Sequence, residues 1–288
     1  MRAEKDRLRF FSSIFSRSFF LDLLENEGVS EITRERLKLF LPCMGNEPLT
    51  LGKCLKTAYM QLAKSYRSEY VYKNALIRMI VEQYSRSDTV IFNEFKCGRS
   101  YADIAMFNGK SRVYEIKTEL DSPARLAGQL KDYKQFFEEC YIVTHDSLVD
   151  KYAAWDDAVG IISLSFNGRK AKLRVVRSSG CHESFNSHLM MRLLHTSEYI
   201  KLTEFFYGSV PDVSAFDMFS ACSALLSEVS QQELQKKCNE LIKRRKTNSA
   251  DLWSYSNSTS HLLQILLALH INPRQYGNLK ELLTQPIL

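Results

Sequence analysis

The stretch DIAMFNGKSRVYEIK, from Asp103 to Lys117, sets two carboxylates and a lysine on two strand-like runs joined by Asn108 and Gly109. Paired carboxylates supply the hard oxygen donors that Mg²⁺ or Mn²⁺ takes, and a lysine beside them can steady negative charge on a phosphate. Side chains alternate along a strand, so Glu115 and Lys117 share a face, whereas Asp103 joins them only in some registers. A two-residue loop pairs Phe107 with Lys110, sets Ala102 across from Glu115 and sends Asp103 to the other face. A three-residue loop of Phe107, Asn108 and Gly109 puts Gly109 in the left-handed conformation and pairs Met106 with Lys110. Asp103 and Glu115 then share one face at a diagonal of about 7–8 Å. The alternative is a set of charges on a wet hairpin face. Burial distinguishes the two, because an acid among apolar neighbours such as Ala105 needs a partner.

The elements that must position these residues are legible in outline. The spacing predicts helices from about Arg7 to Glu25 and from Ser30 onward, the second opened by a capping serine, then a connection over Pro42 to Gly52 carrying two prolines and two glycines. A long helical pattern covers Leu55 to Tyr84. Asp88 to Phe95, Tyr101 to Phe107 and Arg112 to Thr118 read as strands bounded by Gly98 and the Asn108-Gly109 pair. In DSPARLAGQLKDYKQFFEE, Ser122 or Asp121 caps, Pro123 sits where a helix start tolerates it, and Leu126, Leu130, Tyr133 and Phe137 share a face. Cys140 to Thr144 follows as a buried strand. Val159 to Arg177 reads as a further hairpin around NGRK, and helical segments run over Phe185 to Phe206, Phe216 to Lys246 and His261 to Ala268. The reading is an α/β fold with a mixed sheet in the order αβββαβ, divided as an N-terminal helical region 1–54, a core 55–178 and a C-terminal helical region 179–288.

Composition sets the outer limits. The chain has 288 residues, of which 45% are hydrophobic, enough for a substantial core, and 39 Lys and Arg against 33 Asp and Glu give a net charge of +6. That mild excess allows an anionic partner without requiring one. Seven cysteines, scattered and never paired as Cys-x-x-Cys, argue against a disulfide framework or zinc ribbon and fit a reducing cytoplasm. The basic head MRAEKDR precedes an apolar stretch, but Arg17 and Asp22 interrupt it and no small-residue cleavage site follows. An amphipathic helix is therefore expected there rather than a signal peptide. No apolar run reaches membrane-spanning length.

ADIAMF followed by VYEIKTEL resembles the PD-(D/E)XK, or restriction-endonuclease-like, nuclease superfamily, and is similar to a little-characterised bacterial and phage branch of it. The resemblance covers roughly Tyr66 to Thr144, less than a third of the chain. It implies that Asp103 is the first metal-binding acid, that Glu115 and Lys117 form the Glu-x-Lys pair around Ile116, and that Glu69 and Gln129 join the catalytic set. The proline that often precedes the first acid is replaced by Ala102. The metal expected from the resemblance is Mg²⁺, with Mn²⁺ able to substitute, held by Asp103, Glu115 and the Ile116 carbonyl. The implied activity is metal-dependent hydrolysis of phosphodiester bonds, by an endo- or exonuclease, in DNA before RNA, with a role in phage defence or mobile-element conflict.

Alternatives accompany several of these residues. Glu69 can equally pair with Lys73 on a helix surface, and Gln129 can be an exposed helix residue. Tyr133 reads as core, and Glu94 and Glu119 as supporting acids. Lys110, Arg112, Arg125 and Lys131 are candidate phosphate contacts, and KRRK at Lys243 to Lys246 is either a further basic patch or a solvated helix end. Cys181, His182 and His188 lack the spacing of a zinc site. The competing function is a catalytically inactive module on the same fold that binds nucleic acid or protein. The expected partner is nucleic acid, with a homodimer or protein partner allowed, no membrane, and a cytoplasmic location.

Overall fold

The computed structural model describes residues 2–40, 49–167, 170–248, 252–253 and 259–287. Its helices before the sheet are α1 (Arg2–Ser13), α2 (Arg17–Glu25), α3 (Glu31–Phe40), α4 (Leu51–Ser65) and α5 (Glu69–Gln83). Strands β1 (Val90–Cys97), β2 (Ser100–Asn108) and β3 (Lys110–Lys117) form a meander, α6 (Leu126–Lys134) crosses over to β4 (Glu139–His145), and α7 (Val149–Ala153) leads to the hairpin β5 (Gly160–Asn167) and β6 (Lys170–Arg177). The chain continues through α8 (Ser187–Leu193), α9 (Thr196–Tyr207), α10 (Met218–Ser227), α11 (Gln231–Lys243), α12 (Leu263–Leu269) and α13 (Pro273–Thr284). Part of the Pro42 to Gly52 connection, and Gly168 and Arg169 of the β5–β6 turn, lie outside the described residues.

Among the described residues the strands form one six-stranded sheet in sequential order, antiparallel from β1 to β3, parallel from β3 to β5 and antiparallel again at β6. Helices cover both faces. Ile104, Met106, Tyr114 and Ile116 pack with α1 to α5, α12 and α13 on one side, while Ala105, Phe107, Val113 and Ile142 pack with α6 and α8 to α11 on the other. The 54/55 boundary therefore falls inside α4, and the C-terminal helices divide between the two faces rather than forming one region. Each fully buried aromatic, such as Phe107, Phe136 or Phe137, contributes about 1.5–3 kcal/mol of burial to that arrangement.

Four predicted helical runs are each two helices: α1 and α2, α4 and α5, α8 and α9, and α10 and α11. Ser16 caps α2 by accepting from the Phe19 N–H, which separates it from α1. Tyr66 leaves α4 with φ −148° and ψ 80°, and Ser68 starts α5 afresh. That break resets the helical phase, so that a nearly all-round buried α5 carries Glu69 and Lys73 to the sheet. Within the C-terminal helical region expected over 179–288, Pro273 to Thr284 is a further helix, opened by an Asn272 and Gln275 capping box. All the described cysteines are free thiols, buried except for Cys181, and no described helix is long and apolar enough to cross a membrane.

Candidate active site

The hairpin takes neither of the two expected registers. Phe107 faces Ser111 and Asn108 faces Lys110, with Gly109 at the tip at φ +63°, where a residue with a Cβ is strained. This pairing is shifted by two residues from the three-residue-loop expectation, and a shift of two preserves the face. Extending it one step past the last ladder pair, Ile104 with Tyr114, sets Asp103 directly across from Glu115. The regular ladder stops there. Instead of a backbone partner, the Ile116 N–H finds the Asp103 side chain and donates to Oδ2 at 2.7 Å. A strand residue's N–H and C=O face the same neighbour, so the Ile116 carbonyl also faces the gap between β2 and β3.

Around that gap β3 and α6 assemble a closed polar cluster. Glu115 and Lys117 are 3% and 7% exposed, so these are buried charges and not a wet face. The Lys117 ammonium donates to Glu115 Oε1 at 2.8 Å and to Gln129 Oε1 at 3.1 Å. Gln129 donates from Nε2 to Glu115 Oε1 at 2.6 Å, and the Tyr133 hydroxyl lies 2.7 Å from Glu115 Oε2 and 2.9 Å from the Tyr101 carbonyl oxygen. Gln129 and Tyr133 are one helical turn apart, which is why α6 can deliver both to one carboxylate. Tyr133, expected only as core, belongs to the site; burial and the neighbouring Glu115 push its phenol well up, so it stays a donor.

On the other side of Asp103 stands Lys73 of α5, which sequence reasoning treated only as a partner for Glu69. It does pair with Glu69, and its Nζ also lies 3.2 Å from Asp103 Oδ1 and 3.9 Å from Glu94 Oε1. Burial works against the Lys73 charge, but Asp103 and Glu69 outweigh it and hold the ammonium above the ordinary lysine range. Burial pushes the Asp103 carboxyl up to about 7; Glu115 and Glu69 add to the rise, while Lys73 and the Ile116 N–H oppose it. The Glu69–Lys73 spacing was visible in the sequence, but the burial that turns Lys73 inward was not.

The remaining candidates are distributed differently. Lys110 and Arg112 alternate onto the face opposite Glu115 and pair with Glu139 at 2.9 and 2.7 Å, so they do not join the acids. Arg125 is exposed one turn before Gln129, on the side of α6 that bears the cluster, whereas Lys131 is exposed two residues after Gln129 and faces away. Glu119 lies just past β3, where it accepts from Tyr72 and Arg67. Within KRRK, Arg245 is engaged with Glu198 and the Leu193 carbonyl.

No group of three or more His, Cys, Asp or Glu residues is gathered as ligands among the described residues. The donors at the gap are nevertheless of the right kind. Asp103, Glu115 and the Ile116 carbonyl offer hard oxygens, and Asp103 and Glu69 already hold one cationic group, the Lys73 ammonium, between them.

A family model described as bacteriophage P4 protein cII matches residues 62–267. The chain belongs to that family. The cII match holds the whole cluster from Glu69 to Tyr133, and leaves α1 to α3 and α13 outside it. Protein cII of Enterobacteria phage P4 is 31% identical over 142 residues, which make up 48% of this chain and 53% of that protein. The chain thus spans about half the length of the curated relative it matches. A solved protein of unknown function from Silicibacter pomeroyi aligns over 50% of this chain and 94% of its own length, at 12% identity and a TM-score of 0.32.

Proposed function

We propose that this cII-family chain is a metal-dependent nuclease with a restriction-endonuclease-like core, cutting phosphodiester bonds of DNA and less readily of RNA. The observation that carries the reading is the convergence of Asp103, Glu115, Lys117 and Gln129 where β2 and β3 part. Asp103, Glu115 and the Ile116 carbonyl would hold Mg²⁺ or Mn²⁺, with Glu69 beside them. When bound, that ion polarises the phosphate and lowers the pKa of a coordinated water. Lys117 has three N–H donors and spends two on Glu115 and Gln129, which leaves one for the attacking water or a phosphate oxygen. Gln129 and Tyr133 fix the Glu115 carboxylate so that its oxygens do not swing with substrate. Arg125, exposed on the same side of α6, would meet the phosphate backbone. Phage defence or mobile-element conflict is the biological setting we propose with it.

A second reading draws on Lys73. With Lys73 on Asp103 and Lys117 on Glu115, each acid is neutralised by the chain itself, as in an inactive module that binds nucleic acid or a protein. The experiment that separates them incubates the protein with circular duplex DNA, single-stranded DNA and RNA in Mg²⁺, Mn²⁺ or EDTA, beside Glu115→Ala and Lys117→Ala. Metal-dependent cutting lost in both variants is expected. Salt-sensitive binding with no cutting under any ion would refute the nuclease reading in favour of the module.

A further inference from the structure

A cleft of about 540 Å³ opens beside Asp103, walled by the α1–α2 connection, the start of α5, β1 and α12. It shares Lys73 and Glu69 with the acid cluster. Three features of its wall have no role inside the fold. Gln264 is only 9% exposed, yet its Oε1 has no partner among the described residues, and its Nε2 reaches only as far as Asn93 Oδ1 at 3.4 Å. A buried carboxamide oxygen without a donor costs about 1–3 kcal/mol, so the fold keeps it at a loss unless a ligand satisfies it. The Ser68 hydroxyl on the same wall is likewise without a partner.

The third feature is Arg17, exposed on the cleft wall as the first residue of α2 and without an ion pair among the described residues. A cation at the positive end of a helix is unfavourable alone, whereas the helix start and the guanidinium together attract an anion. An anion site at Arg17 thus lies across a small cleft from an amide edge at Gln264 and Asn93. Phosphate and nucleobase present that combination within one nucleotide. The volume is that of a small-ligand pocket, which admits a single nucleotide and excludes a duplex. Glu69 and Glu94 also line it, both on the side held by Lys73.

We propose that the cleft is a subsite for one unpaired nucleotide of a single-stranded end or overhang, its phosphate on Arg17 and its base edge on Gln264 and Asn93. The inference rests on the nuclease reading for the position of the scissile bond beyond Lys73, and it makes the substrate class single-stranded or frayed nucleic acid.

The test measures binding in EDTA, where no cutting is needed, by anisotropy of fluorescein-labelled single strand, blunt hairpin duplex and the same duplex with an overhang. Single strand and overhang should bind about tenfold or more tighter than the blunt duplex. Arg17→Gln and Gln264→Leu, checked for unchanged melting, should each weaken single-strand binding about five- to tenfold, the equivalent of one hydrogen bond of about 1 kcal/mol. A single strand carrying 4-thiothymidine, crosslinked to the unaltered protein, should attach to peptides containing Phe15, Asn93 or Gln264. Equal binding of blunt duplex and single strand, or crosslinks only outside the cleft, overturns the subsite. Preferential binding and cleft crosslinks without metal-dependent cutting would uphold the subsite while refuting the nuclease. Cutting with no preference for unpaired ends would do the reverse.

Discussion

Glu115 and Lys117 make the sharpest energetic test, because they are two residues apart, almost fully buried and 2.8 Å from each other. Removing one member of such a pair strands the other and costs about 3–5 kcal/mol, whereas removing both is often close to neutral. The structure makes the two losses unequal. In Lys117→Met the carboxylate keeps Gln129 and Tyr133 as donors, two hydrogen bonds to a charge that contribute about 1.5–3 kcal/mol each, so the deficit should lie near 2 kcal/mol. In Glu115→Leu the ammonium keeps, among the described residues, only the Gln129 oxygen, and the full cost of about 3–5 kcal/mol is expected. The double variant should cost less than the sum of the two by about 2 kcal/mol or more, the range seen for residues in direct contact. Urea unfolding of all four proteins, with unchanged m-values, measures the cycle. Additive losses, or single losses below about 1 kcal/mol, would refute the account of a buried, mutually dependent pair.

Other outcomes follow from the same geometry. If Asp103 and Glu115 hold a cation, Mg²⁺ at about ten times its Kd should stabilise the protein by about 1.4 kcal/mol, and Asp103→Asn should abolish that gain in thermal melts. Burial lowers the His261 pKa to about 4 against 6.5 when free, so the unfolded chain binds the proton first. Stability should therefore be complete above about pH 6.5 and lost as pH falls toward 4, by about 3 kcal/mol in all, and His261→Phe should flatten that slope. A methyl group on Gly160 would lie 2.4 Å from the Tyr141 ring, so Gly160→Ala should destabilise by at least about 1–3 kcal/mol in urea.

The acid cluster and the cleft draw on different parts of the chain. The acid cluster is built from α5, the β2–β3 hairpin and α6, all inside the span that matches the cII family. Arg17, by contrast, comes from α2 outside that span, and reaches the same cleft only because α1 to α5 and α12 share one face of the sheet.

The sequence by itself determined the strands and helices that carry the chemistry. Alternation on VYEIK placed Glu115 and Lys117 together, and the Asn108-Gly109 pair marked the tip, because both follow from local backbone geometry. The spacing of Gln129 and Tyr133 on one helical face was equally visible, although it did not say what that face would meet. Tertiary structure alone decided the rest. The hairpin register differed by two residues from expectation, and only the parity of strand alternation kept Asp103 with its partners. Lys73 at Asp103, Gln264 against Asn93 in the cleft and the pairing of Lys110 and Arg112 with Glu139 join residues between 27 and 171 positions apart, or bury charges that local pattern reads as exposed. Burial is a property of the packed layers, and it is burial that turns a row of ordinary charges into a site.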